Sequence, residues 1–104
     1  MLQTIGFGVL EERDKKDFEK LFNEYSVKIQ RKLKNISSSA IHLKEYEKDG
    51  LRKKFSVHAR IVAPTIIFEA DAANWDFKRT LHKVFNKLEQ EIEHKFHVSD
   101  EHKR

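Results

Sequence analysis

Lys44, Lys48, Arg52, Lys53 and Lys54 crowd one short stretch of the chain, and Lys78, Arg79, His82, Lys83 and Lys87 crowd another. A third group, Lys28, Arg31, Lys32 and Lys34, lies between residues 28 and 34. Cations in such runs meet phosphates well, and each contact releases a counterion, so binding is strongly salt-dependent. With a net charge of +4 and an isoelectric point near 9.3, an acidic partner is expected, nucleic acid first.

Other chemistries are poorly served. There is no cysteine, hence no disulfide, thiol nucleophile or thiolate metal site. His58, Arg60, Glu69 and Asp71 could share a sheet face, and a histidine beside an acid can move protons. An open sheet face has no cleft to exclude water, however, and cross-strand ion pairing accounts for these residues. No catalytic residue is expected, and the chain is not expected to be an enzyme. His94 and His97 are three apart with His102 beyond, short of the four well-held ligands of a structural zinc site. No metal or other cofactor is expected. The start, Met1 to Phe7, lacks a basic then apolar signal pattern, and no apolar run could span a bilayer. No membrane association is expected, and the location expected is cytoplasmic.

The charges must be held by elements that the apolar pattern reveals. Ile5, Phe7 and Val9 alternate over residues 4–10 as a short strand, weakened by Gly6 and Gly8. From about Asp14 to Lys34, Phe18, Leu21, Phe22, Tyr25, Ile29 and Leu33 follow the spacing of three and four of an amphipathic helix. Ile41 and Leu43 alternate in a second strand, and Phe55 to Ile61 in a third. A three-residue loop ending in Gly50 places Leu43 opposite Phe55 and Lys44 opposite Lys54, a like-charge pair that an anionic partner would relieve. After Pro64-Thr65 a fourth strand sets Ile61 against Phe68, Ala59 against Ala70, Arg60 against Glu69 and His58 against Asp71. Asn74 is expected to cap a second helix, with Asp76 in its first turn. Its apolar stripe is Phe77, Leu81, Val84, Phe85, Leu88, Ile92 and Phe96.

The expected fold is α+β, a two-layer sandwich in the order β-α-β-β-β-α. A four-stranded mixed sheet carries two helices on one face, and right-handed crossover makes the first two strands parallel. Residues 1–97 form a single domain, and 98–104 a frayed polar tail. This topology brings the hairpin cations to the end of the sheet where the second helix starts. That helix adds its positive dipole and free N–H groups. A ligand touching this group and the Lys28–Lys34 group must span much of the domain, which a folded RNA surface can do and a small-molecule substrate cannot. Tyr46 and Trp75 lie off the apolar stripes near the basic end, where packing is the role expected of them and base stacking the alternative.

From Ile41 to Phe96 the chain resembles the ribosome hibernation-promoting factor/ribosome-associated inhibitor A family. The resemblance rests on Val57-His58-Ala59-Arg60, on Phe68-Glu69-Ala70-Asp71-Ala72-Ala73-Asn74-Trp75-Asp76, and on the spaced Leu81, Phe85 and Leu88. The element order matches over nearly the full length, with residues 1–17 matching least. The resemblance implies a short-form factor that docks in the messenger channel of the small ribosomal subunit, contacts ribosomal RNA and blocks translation under stress, with no oligomer required. The family's second helix is basic over much of its length, whereas Glu89, Glu91 and Glu93 make the last third acidic here. The main alternative is a free-standing domain of double-stranded-RNA-binding type, which shares the α-β-β-β-α core but lacks the first strand and reads duplex shape. A dimerisation module using an exposed strand edge is a third reading.

Overall fold

Helical and alternating stretches resolve, in chain order, into β1 (Leu2–Ile5), α1 (Glu12–Lys32), β2 (Ser38–Lys48), β3 (Arg52–Ala63), β4 (Ile66–Asn74) and α2 (Phe77–His102). A 3₁₀ turn over Phe7–Val9 joins β1 to α1. This is a computed structural model; it describes residues 2–48, 50 and 52–102, and among these the side chains other than those of 47, 48, 52 and 96–102. The sheet order is β1-β2-β3-β4, with β1 parallel to β2 and the other pairs antiparallel. The expected α+β sandwich is what forms.

One face of the sheet is buried and the other is open. Ile41, Leu43, Val57, Ala59, Ile61, Phe68, Ala70 and Ala72 point under the helices, meeting Phe18, Leu21, Tyr25 and Ile29 of α1 and Leu81, Val84, Phe85, Leu88 and Ile92 of α2. Burying each of the larger side chains contributes about 1.5–3 kcal/mol, so the helical stripes are what hold the layers together. α1 has Glu12 and Asp14 in its first turn and Arg31 and Lys32 in its last, the order its dipole favours.

Three local expectations need correction. The first strand is Leu2–Ile5, not residues 4–10. It ends because Gly6 takes a φ of 85°, and a Cβ there would run into the carbonyl oxygen of Leu43. Phe7 then leaves the sheet and packs edge-on against Phe18, with ring centroids 4.7 Å apart. The β3–β4 register is as expected, but β2–β3 is shifted by two residues: Leu43 pairs with Val57, Lys44 with Ser56 and Tyr46 with Lys54. The loop sits between Lys48 and Arg52, with Gly50 at its centre in the left-handed region (φ 67°). The Lys44–Lys54 pair therefore does not exist. At α2 the cap is Asp76, whose Oδ1 accepts from the N–H of Lys78 and whose carbonyl accepts from that of Thr80, while Asn74 Oδ1 accepts from the N–H of Asp76. α2 itself runs to His102.

The helices run in the same direction and share a polar seam above their apolar contact. The Tyr25 hydroxyl donates to Asn86 Oδ1 at 3.0 Å and lies 3.2 Å from His82 Nδ1. The hydroxyl has one proton to give, so with Asn86 as its acceptor a hydrogen bond to His82 requires the tautomer that carries its proton on Nδ1. Further along, Lys32 Nζ bridges Glu89 at 3.4 Å and Glu93 at 3.1 Å. Burial first, then the negative charges of Glu89 and Glu24, raises the Tyr25 pKa, against the Asn86 hydrogen bond. The hydrogen bond to Glu93 is the main cause of the raised Lys32 pKa, and Glu89 adds to it.

Gly6→Ala is expected to cost about 1–3 kcal/mol for the left-handed backbone alone, lowering Tm by roughly 10 °C in a circular dichroism melt. Gly8→Ala, whose Cβ would meet nothing within 4 Å, serves as the neutral control. For both Tyr25 and Lys32 the folded chain holds its proton more tightly than the unfolded chain. Their contribution is thus complete below the unfolded values and lost as pH rises through the folded ones. Thermal melts should show Tm falling beyond about pH 10, and falling less steeply in Tyr25→Phe/Lys32→Met. That variant should start roughly 5 °C lower at pH 7 because its seam hydrogen bonds are gone.

Candidate nucleic-acid interface

The long hairpin sets where its cations lie. Strand alternation puts Lys44, Tyr46 and Lys54 on the open face, whereas Lys53 faces the helix side and pairs with Glu45 at 3.1 Å. Lys48 and Arg52 are register partners at the tip, and their side chains lie outside the described residues. Lys54 Nζ is 6.0 Å from the centroid of the Trp75 ring, the outer limit of a cation–π contact. Tyr46 does not pack as expected; it is 45% exposed.

On α2, Lys78, Arg79 and Lys83 are exposed, and no ion pair among the described residues involves them. The stripe of Phe77, Leu81, Val84, Phe85 and Leu88 turns them away from the sheet. His82 is half-buried, with Nδ1 committed to Tyr25. Lys87 reaches back to donate to the carbonyl oxygen of Asp71 at 2.7 Å, covering part of the β4 edge. The hairpin and α2 cations thus share an end of the molecule, as expected, but Lys44 and Lys54 lie on the face opposite the α2 cations.

The Lys28–Lys34 group also divides. Lys28 Nζ lies 5.0 Å from the centroid of the Tyr25 ring, next to the seam that holds His82. Lys32 is neutralised by Glu89 and Glu93, so the acidic end of α2 has a structural partner in α1. Arg31 and Lys34 are exposed, and Lys34 borders a hollow with Lys95 and the Pro64-Thr65 turn.

Acidic groups limit where an anion can approach. Glu11, Arg13, Asp14, Glu45, Lys53, Trp75 and Asp76 line a hollow between the start of α1 and the hairpin. Burial, followed by Glu11 and then Asp17 and Asp76, raises the Asp14 pKa, with Arg13 opposing. The expected use of the α2 N-terminus as an anion site is therefore not supported: Asp76 already takes the Lys78 N–H, and Asp14 adds negative charge nearby. On the open face, Glu69 Oε1 meets His58 Nε2 at 3.3 Å and Arg60 Nε at 3.8 Å. The Arg60–Glu69 pairing is as read from the sequence, but His58 turns diagonally to Glu69 rather than to Asp71. Among the described residues no three metal-ligating side chains gather; the side chains of His97 and His102 lie outside them.

Among the described residues no helix is long and apolar enough to cross a membrane. No protein-family model matches the chain, and no curated protein matches it in sequence. A ribosomal subunit interface protein from Coxiella burnetii has a similar structure, with a TM-score of 0.67 and 22% identity over 93% of this chain and 97% of that one. At that identity the likeness establishes a shared fold.

Proposed function

We propose that the chain is a cytoplasmic, ribosome-associated factor of the hibernation-promoting kind. It binds the small ribosomal subunit through ribosomal RNA and inhibits translation by occupancy rather than catalysis. The carrying observation is the exposed ridge of Lys78, Arg79 and Lys83, unpaired among the described residues and extended across the helix seam by Lys28. Such a surface neutralises phosphates without reading bases, as contact with a folded RNA backbone requires. The fold shared with a ribosomal subunit interface protein supports the same reading. β1, paired in parallel with β2 ahead of α1, weighs against the double-stranded-RNA-binding alternative, whose core starts at its first helix.

Co-sedimentation with ribosomes and separated subunits across a salt series is the direct test. The wild-type chain should pellet with the small subunit at about 50 mM salt and be released as salt rises. Lys78→Gln, Arg79→Gln and Lys83→Gln together should lower the slope of log affinity against log salt by about three, roughly one for each phosphate no longer neutralised. The triple Glu variant should not pellet. Failure of the wild-type chain to pellet at low salt would sink the reading and make duplex RNA the next ligand to try.

A further inference from the structure

The β2–β3 hairpin outruns its neighbour. Phe55–Asn74 is the last β3–β4 pair toward the tip, yet β2 and β3 stay paired as far as Lys48–Arg52. On the open face of this projection, Tyr46 stands opposite Lys54. The next row back is Lys44, Ser56 and Ala73. Tyr46 is 45% exposed, and neither its ring nor its hydroxyl has a partner among the described residues. Ser56 and Ala73 are short, so the row beside the ring is low enough for a flat group to lie there. Lys44 and Lys54 flank Tyr46 at one strand spacing or one two-residue repeat, about 5–7 Å. On the open face the acids among the described residues are set back from Tyr46: Asp71, opposite His58, lies two rows back and Glu69, opposite Arg60, three, while Glu45 lies on the helix side with Lys53.

An exposed aromatic ring between two cations suits an unpaired base with a phosphate on either side. A base within a duplex is already stacked and cannot offer its face. We infer that the open face of the hairpin is a platform for single-stranded RNA, with Tyr46 stacking on one base and Lys44 and Lys54 holding the flanking phosphates. The platform deepens the RNA-binding reading above and lies on the face opposite the α2 ridge.

Fluorescence anisotropy with the full chain, a labelled single-stranded decauridylate and a blunt RNA duplex of equal length tests it. Tyr46→Ala should weaken single-strand binding about tenfold, within the range of roughly fivefold to hundredfold that removal of one stacking ring gives. Tyr46→Phe should stay within about twofold, because the π-face remains, and neither variant should change duplex binding. Wild-type single-strand affinity in Tyr46→Ala, equal weakening in both variants, or parallel weakening on the duplex would each overturn the platform. Should Tyr46→Ala behave as wild type while the Lys78/Arg79/Lys83 variants no longer bind the ribosome, the platform is wrong and the ribosome reading stands. Should ribosomes never pellet while Tyr46→Ala alone fails to hold the single strand, the platform stands without it.

Discussion

Phe85 lies where the two helices and the sheet meet. Its ring is 2% exposed, and its centroid lies 5.2 Å from that of Tyr25, 6.3 Å from Phe22 and 6.5 Å from Phe18. Aromatic pairs in this range gain beyond simple burial, and three of them on one ring lock α2 against a single stretch of α1. The consequences spread outward. With the helices side by side and parallel, Tyr25 can reach His82 and Asn86, and Lys32 can reach Glu89 and Glu93. With both helices on one face, the second face of the sheet stays in water and its side chains are free to meet something else.

Burial patterns were the readable part of this fold, because a residue's neighbours in sequence report which face it occupies. β3–β4 could be registered since apolar pairs on one face and Arg60–Glu69 on the other gave independent checks. β2–β3 could not, because a two-residue slip keeps every side chain on its own face; only a one-residue slip exchanges inside for outside. β1 carries no burial signal at all, as all four of its residues are exposed on an edge, and the apparent alternation through Phe7 and Val9 belongs to a turn imposed by Gly6. Capping moved from Asn74 to Asp76 for a comparable reason: both are good caps, and their order is decided by where the last sheet pair, Phe55–Asn74, lets the chain go.

Charge was legible in amount and not in availability. The distant pairs that remove cations from the surface, Lys32 with Glu89 and Glu93 and Lys87 with the Asp71 carbonyl, depend on helix placement that no local pattern contains. Lys53 and Lys54 are adjacent in sequence, yet one is engaged by Glu45 on the helix side while the other leaves the open face of the strand and reaches toward Trp75. Tyr46 was within reach of a sequence argument, since its parity with Lys44 and its opposition to Leu43 already place it outward. What no local pattern shows is the reach of the hairpin beyond β4, which denies it a packing partner.

The division of cations between two faces constrains any partner that uses both. The molecule measures 25 and 20 Å along its shorter axes, while charges in physiological salt are screened over about 8 Å. The α2 ridge and the hairpin platform therefore do not act as one field. A flat anionic surface can neutralise one of them and leaves the other in solvent. A partner engaging both must present phosphate to the helix face and to the open sheet face together, as the walls of an RNA cleft do when a projecting hairpin enters between them. The hollow at the same end is lined by Glu11, Asp14, Glu45 and Asp76 against Arg13 and Lys53, and with Glu45 paired to Lys53 its balance stays negative, so it offers phosphate less than either surface does. On the RNA-binding reading proposed above, that arrangement favours a partner with two separated strands over one with a continuous backbone wrapped around the tip.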